Sequence, residues 1–107
     1  KLRMIQTIKN LLGMGPKTYY SELICQGAII LDVSSKGEFA DGHIKNSINI
    51  PMDQLTNNLS KLKDKNQSII CCCASGMRSG SAKGILESHG YKAVFNGGSW
   101  AALQNKI

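Results

Sequence analysis

The apolar positions of this chain fall into short unbroken runs divided by polar stretches. Ala28-Ile29-Ile30-Leu31 is one such run, Ile69-Ile70 leading into Cys71-Cys72-Cys73 a second, and Ala93-Val94-Phe95 a third. Runs without polar alternation predict strands covered on both faces, as in a parallel sheet. Ser47-Ile48-Asn49-Ile50 predicts a shorter strand, stopped by Pro51. Between strands the spacing changes to three and four. Met52, Leu55, Leu59 and Leu62 predict an amphipathic helix, with Asp53 in its first turn and Lys61 in its last. Ala82, Ile85, Leu86 and His89 predict another, with His89 a favourable charge near its end and Gly90 its left-handed stop. Shorter helices are expected from a Ser21 cap through Cys25 and Gln26 to Gly27, within Ser34–Asp41 with Phe39 inward, and after Gly97-Gly98 through Trp100 and Leu103. Leu2, Ile5, Ile8, Leu11 and Leu12 place a further amphipathic helix over residues 1–13, ended by Gly13-Met14-Gly15-Pro16. The expected organisation is a helix and linker over 1–16, then one domain over 17–107. Strand and helix alternate throughout, which predicts an α/β fold with a parallel sheet between helices.

Composition changes this picture little. A chain of 107 residues makes one domain with a modest core. No apolar run is long enough to cross a bilayer, so no stable membrane insertion is expected. The basic start has no long apolar region behind it and does not read as a signal peptide, which points to a cytoplasmic protein, with a removed leader left open. Lys1, Arg3 and Lys9 beside an apolar face leave membrane-surface or partner contact open for the first helix. A net charge of +6 serves solubility and attracts small anions. Nucleic acid is not an expected partner, because the lysines are scattered and the only arginines are Arg3 and Arg78.

Cysteine usage narrows the chemistry. Three of the four cysteines are consecutive, which suits neither a disulfide framework nor a zinc knuckle, since neighbours on a strand point to opposite faces. A reduced protein without a metal follows. Cys73 ends a strand and precedes Ala74-Ser75-Gly76-Met77, a compact turn of mostly small residues, and then a helix beginning near Arg78 and Ser79. Free amide hydrogens of such a loop and helix start attract negative charge, and Arg78 adds a permanent cation. Both favour thiolate, so Cys73 is the candidate nucleophile. Cys25 and Cys72 read as buried packing residues. Cys71 shares a face with Cys73, and a disulfide between them is left open. Asp32 and His43 read as structural hydrogen-bonding residues, and Trp100 as core with an edge beside the loop.

At these residues the chain resembles the rhodanese family, sulfurtransferases that carry sulfane sulfur as a cysteine persulfide. The resemblance rests on Leu31-Asp32-Val33, Glu38-Phe39, Gly42-His43-Ile44, Asn49-Ile50-Pro51, the loop from Cys73 to Ser79, and Asn96-Gly97-Gly98 with Trp100. It implies a small five-stranded, mostly parallel sheet flanked by helices on both faces. It also implies transfer of sulfur from a small anionic donor, thiosulfate or a persulfide, through Cys73 to a thiol, cyanide or protein acceptor. Ala74 through Ser79 would bind the donor, and no cofactor would be needed. Ser34 stands where the family usually carries Arg, which leaves an ion pair at Glu38 open. Ala74 and Ser75 stand where thiosulfate-using members often carry basic residues, which weakens thiosulfate as the donor. A second register, Cys72-x5-Arg78-Ser79, resembles the loop of phosphatases and arsenate reductases, and a binding module without turnover is the third reading.

Overall fold

The computed structural model of the protein describes residues 19–107. The helix expected over 1–13 lies outside the described residues. Four strands form one sheet: β1 (Ile29–Asp32), β2 (Ile48–Asn49), β3 (Ile69–Cys73) and β4 (Val94–Ser99), in the order β2-β1-β3-β4. All three pairings are parallel. The expected α/β architecture is present, with four strands rather than five among the described residues. Among the described residues four α-helices complete it: α1 (Tyr20–Cys25), α2 (Lys36–Asp41), α3 (Arg78–Ser88) and α4 (Trp100–Gln104).

The central strand β3 is buried at all five positions. Its residues divide between two cores by the two-residue period of a strand. Ile69, Cys71 and Cys73 pack on one face with Leu31, Val33, Leu55, Ala82 and Leu86. Ile70 and Cys72 pack on the other with Ile30, Ile44 and Leu103, against Tyr20, Leu23, Phe95 and Trp100. Cys73 therefore lies on the α3 side of the sheet, and Cys72 points away from it.

The ends of α1 and α3 are closed alike. After α1, the Gly27 amide donates to Ile24 O and the Ala28 amide to Leu23 O. After α3, the Gly90 amide donates to Glu87 O and the Tyr91 amide to Leu86 O. Both glycines hold positive φ, +99° and +91°, as this termination demands. His89, at the end of α3, places Nδ1 2.8 Å from Ile85 O.

Several expectations need correction. Residues 52–62 form no α-helix but two 3₁₀ segments, Met52–Gln54 and Thr56–Lys61, with Asn58 out of helical geometry. Thr56-Asn57-Asn58 is a weak helix-forming run, and Asn58 Nδ2 donates to Gln54 O at 2.7 Å, a side-chain bond that competes with the backbone. The Tyr91 hydroxyl bonds to Leu62 O and Leu59 O, holding the segment's end in place. Leu55 and Leu62 are still buried, because spacing of three and four serves either helix type. Helix α1 starts one residue before Ser21, with Tyr19 as its cap and no side-chain cap bond. Cys25 is exposed rather than buried.

Strand β4 extends through Gly97-Gly98 instead of ending before them. A Cβ on Gly97 would lie 2.9 Å from Cys71 O and 3.0 Å from Leu103 Cδ2, so the close approach of β4 to β3 needs glycine there. The register shifts at this point, Cys71 facing Asn96 and Cys72 facing Gly98, and the bulge carries Ser99 alongside Cys73.

Candidate active site

Cys73 is the last residue of β3 and Arg78 the first of α3, so Ala74-Ser75-Gly76-Met77 spans the gap at the carboxyl edge of the sheet. The turn is made by Gly76, with φ +86°. A Cβ there would also sit 3.1 Å from the Ser99 backbone nitrogen. The turn aims the Gly76 amide at Cys73 Sγ, 3.0 Å away. Burial pushes this thiol up, but the amides of Ser79, Arg78 and Gly76, with the Ser79 hydroxyl, outweigh burial and hold it below its ordinary value.

Its neighbours behave oppositely. Burial pushes Cys71 up to about 12, Lys83 opposing and Glu87 adding to the shift. Burial also pushes Cys72 up strongly, with Asp32 and the two adjoining cysteines adding to it. All three sulfurs are shielded from solvent at 0% exposure, and all four cysteines of the chain are free thiols. What separates Cys73 is therefore its donors rather than its accessibility. Its sulfur lies under its own loop, whose tip, Met77, is 82% exposed.

Ser79 is buried, and its hydroxyl lies 2.6 Å from Asn96 Oδ1 and 3.1 Å from Gly76 O. It is not the helix cap, a position held by Met77. Asn96 Oδ1 also accepts from the Gly98 amide, and Asn96 O accepts from the Tyr20 hydroxyl at 3.0 Å. Asn96 thus ties the start of α3 to the β4 bulge and to α1.

Arg78 forms an ion pair with Glu38. Its Nη1 donates to Glu38 Oε1 at 2.7 Å and its Nη2 to Oε2 at 2.9 Å, a two-point contact. Glu38 Oε1 also accepts from the Ser35 amide, while the Ser35 hydroxyl accepts from the Glu38 amide, forming a capping box at the start of α2. The Arg78 hydrogen bonds, then the Ser35 amide, hold the Glu38 carboxyl down at about 2. The pair in turn raises Arg78. The ion pair that the sequence left open at Glu38 is made with Arg78. Beside Arg78 opens a cleft of about 290 Å³, lined by Val33, Ser35, Pro51, Met52 and Asp53.

Of the loop residues expected to bind the donor, Gly76, Arg78 and Ser79 direct hydrogen-bond donors at the sulfur. Sequence reasoning did not identify the Glu38 clamp or the Asn96 tie. Ser35-x-x-Glu38 is legible as a capping box, but its link to Arg78 bridges 40 residues and has no local signal. Asp32 is buried, and its Oδ1 accepts from the Ser34 amide at 2.9 Å, the backbone role expected of it. His43 stacks on Phe39 and bonds Phe39 O through Nδ1, also a structural role. Trp100 is half-buried and lies across Gly42, where a Cβ would meet its ring at 2.5 Å. Among the described residues no cluster of three or more His, Cys, Asp or Glu could hold a metal ion, and no helix is long and apolar enough to cross a membrane.

Known proteins resemble this chain in sequence and fold. The chain is 33% identical over 69 residues to thiosulfate sulfurtransferase PspE of Escherichia coli, an alignment covering 64% of this chain and 66% of that protein. Of a larger curated relative it spans only 14%. A solved structure, rhodanese with anions from E. coli, superposes with a TM-score of 0.67 at 30% identity, covering 71% of this chain and 91% of that one. A rhodanese-like domain protein from Staphylococcus aureus gives a TM-score of 0.64 at 37% identity, covering 71% and 74%. The profile of the rhodanese-like domain matches residues 16–106, nearly the whole chain, and the protein belongs to that family.

Proposed function

We propose that the protein is a sulfurtransferase that moves sulfane sulfur through a persulfide on Cys73. The reading is carried by one observation, the gathering of loop and helix amides on Cys73 Sγ. A thiolate held this way attacks the outer sulfur of a donor. The donor's S–S bond breaks, its electron pair leaves with sulfite when the donor is thiosulfate, and Cys73 keeps the transferred sulfur as Cys–S–S⁻. The amides of Gly76, Arg78 and Ser79 then face the outer sulfur's negative charge, which they stabilise as they do the thiolate. A thiol or cyanide removes that sulfur and restores the thiolate. Family membership and the thiosulfate sulfurtransferase relative support the reaction class. The phosphatase register gains no support, because Cys72 faces the opposite core and its thiol is held protonated.

The test is the intact mass of the purified protein after incubation with thiosulfate. Wild type gains one sulfur, mapped to Cys73, and Cys73→Ser gains none and loses thiosulfate:cyanide transfer. Cys72→Ser keeps both. Sulfur found on Cys72, or none on any cysteine, would sink the assignment. One observation favours a second reading, a binding module without turnover: the 0% exposure of Cys73. Absence of both persulfide and transfer with every donor would select it.

A further inference from the structure

The charge at the rim of the loop is already neutralised from within the protein. Arginine binds a ligand anion through the N–H groups of its planar fork, and here Glu38 takes one donor from each terminal nitrogen in matched geometry. The pair stands at the surface, its side chains 34% and 39% exposed, within reach of an arriving donor. The adjoining cleft adds a second carboxylate, Asp53, and no other base besides Arg78. The loop itself, Ala74 to Met77, carries no charge. A donor therefore meets a guanidinium with its counter-ion in place and a further acid nearby.

We propose that Glu38 sets donor selectivity by charge: it disfavours dianionic donors such as thiosulfate and leaves singly charged sulfane donors, thiosulfonates and net-monoanionic persulfides, as the substrate class. The inference rests on the sulfurtransferase reading. Glu38 acts through Arg78 and is a positioning residue. Its charge repels each unit of donor charge separately, so removing it benefits a dianion by the square of the factor that benefits a monoanion. For a half-exposed pair that factor is about fivefold per unit charge at low salt.

Thiosulfate and methanethiosulfonate form a matched probe pair. Thiosulfate gives Cys73–S–S⁻ and SO₃²⁻; methanethiosulfonate gives Cys73–S–S⁻ and CH₃SO₂⁻. The same S–S bond breaks in each, and the donors differ by one charge. The experiment measures kcat/KM for both donors, with cyanide as acceptor, in wild type, Glu38→Gln and Glu38→Asp. Gln retains an oxygen for the Ser35 amide and so keeps the capping box. In wild type, methanethiosulfonate is favoured relative to the two donors' reactivity with a free small thiol. In Glu38→Gln the thiosulfate-to-methanethiosulfonate ratio rises about fivefold, and raised salt shrinks the change. Glu38→Asp keeps the wild-type ratio even if both rates fall. A ratio unchanged within about twofold in Glu38→Gln, with both donors turned over, overturns this inference and leaves sulfur transfer standing. If Glu38→Gln does not fold, a wild-type preference for thiosulfate overturns it equally. Loss of turnover and of persulfide mass with both donors in wild type removes sulfur transfer and the inference with it.

Discussion

Replacing Gly76 by Ala tests the loop at its most constrained point. The residue holds φ +86°, where a side chain is strained, and its new Cβ would press on the Ser99 nitrogen at 3.1 Å. The conformational cost is about 1–2 kcal/mol, and the crowding adds to it, because backbone on a sheet strand cannot swing aside as a flexible side chain can. For a domain of this size about 2 kcal/mol lowers Tm by roughly 8–15 °C. The same shift draws the Gly76 amide away from Cys73 Sγ, now 3.0 Å distant. A hydrogen bond to a charged group contributes about 1.5–3 kcal/mol, so its loss raises the thiol by roughly 1–2 pH units. Thermal unfolding followed by circular dichroism reads the first effect, and thiolate absorbance against pH, compared with Cys73→Ser, reads the second. Gly84→Ala is the comparison, since a Cβ on that helical glycine meets nothing within 4 Å. It should gain about 0.5–1 kcal/mol from helix propensity. Gly76→Ala with wild-type Tm and an unmoved thiol titration would refute the claim that this turn aims the amide at sulfur.

The depressed Cys73 thiol makes persulfide formation persist below the ordinary thiol range and fall only as acid protonates the thiolate; a stopped-flow pH profile with a break near pH 8.5 or above contradicts this. Glu38 carries a carboxyl lowered from its ordinary value to about 2 in the folded state, so its contribution to stability is complete above about pH 4.5 and disappears as pH falls toward 2. Acid unfolding of Glu38→Gln should lack that segment of the wild-type curve. Brief alkylation of the native protein should label exposed Cys25 and spare Cys71 and Cys72 until unfolding, as peptide mass mapping would show. Tyr91→Phe removes the hydroxyl that bonds to Leu62 O and Leu59 O and should cost about 1–2 kcal/mol in urea unfolding, whereas no change would mean water replaces it freely.

The legible part of this protein is the part controlled by neighbours in sequence. Unbroken apolar runs gave β1 and β3 within a residue of their bounds, and the small residues after Cys73 marked the loop. Ala82, Ile85 and Leu86 marked the packed side of α3, and Gly27 and Gly90 marked the ends of α1 and α3. Residues 52–62 misled because burial requires only spacing of three and four, which a 3₁₀ turn satisfies. Gly97-Gly98 misled because glycine reads as a turn, while here the absent side chains let β4 press against β3. Cys25 reads as an apolar packing residue, yet it falls on an exposed side of α1.

By itself the sequence determined an α/β domain with Cys73 at the end of a buried strand, because period and turn chemistry act over a few residues. It named Cys73 and Arg78 as candidates but not the groups they meet, since those lie on segments far apart in the chain. The tertiary structure supplies those partners. Strand alternation sends Cys72 into one core and Cys73 toward α3, where amide donors overcome the burial that protonates its neighbours. Packing of α2 beside α3 joins Glu38 to Arg78. The charge that looked free in the sequence is paired in the fold, because only three dimensions bring residue 38 to residue 78.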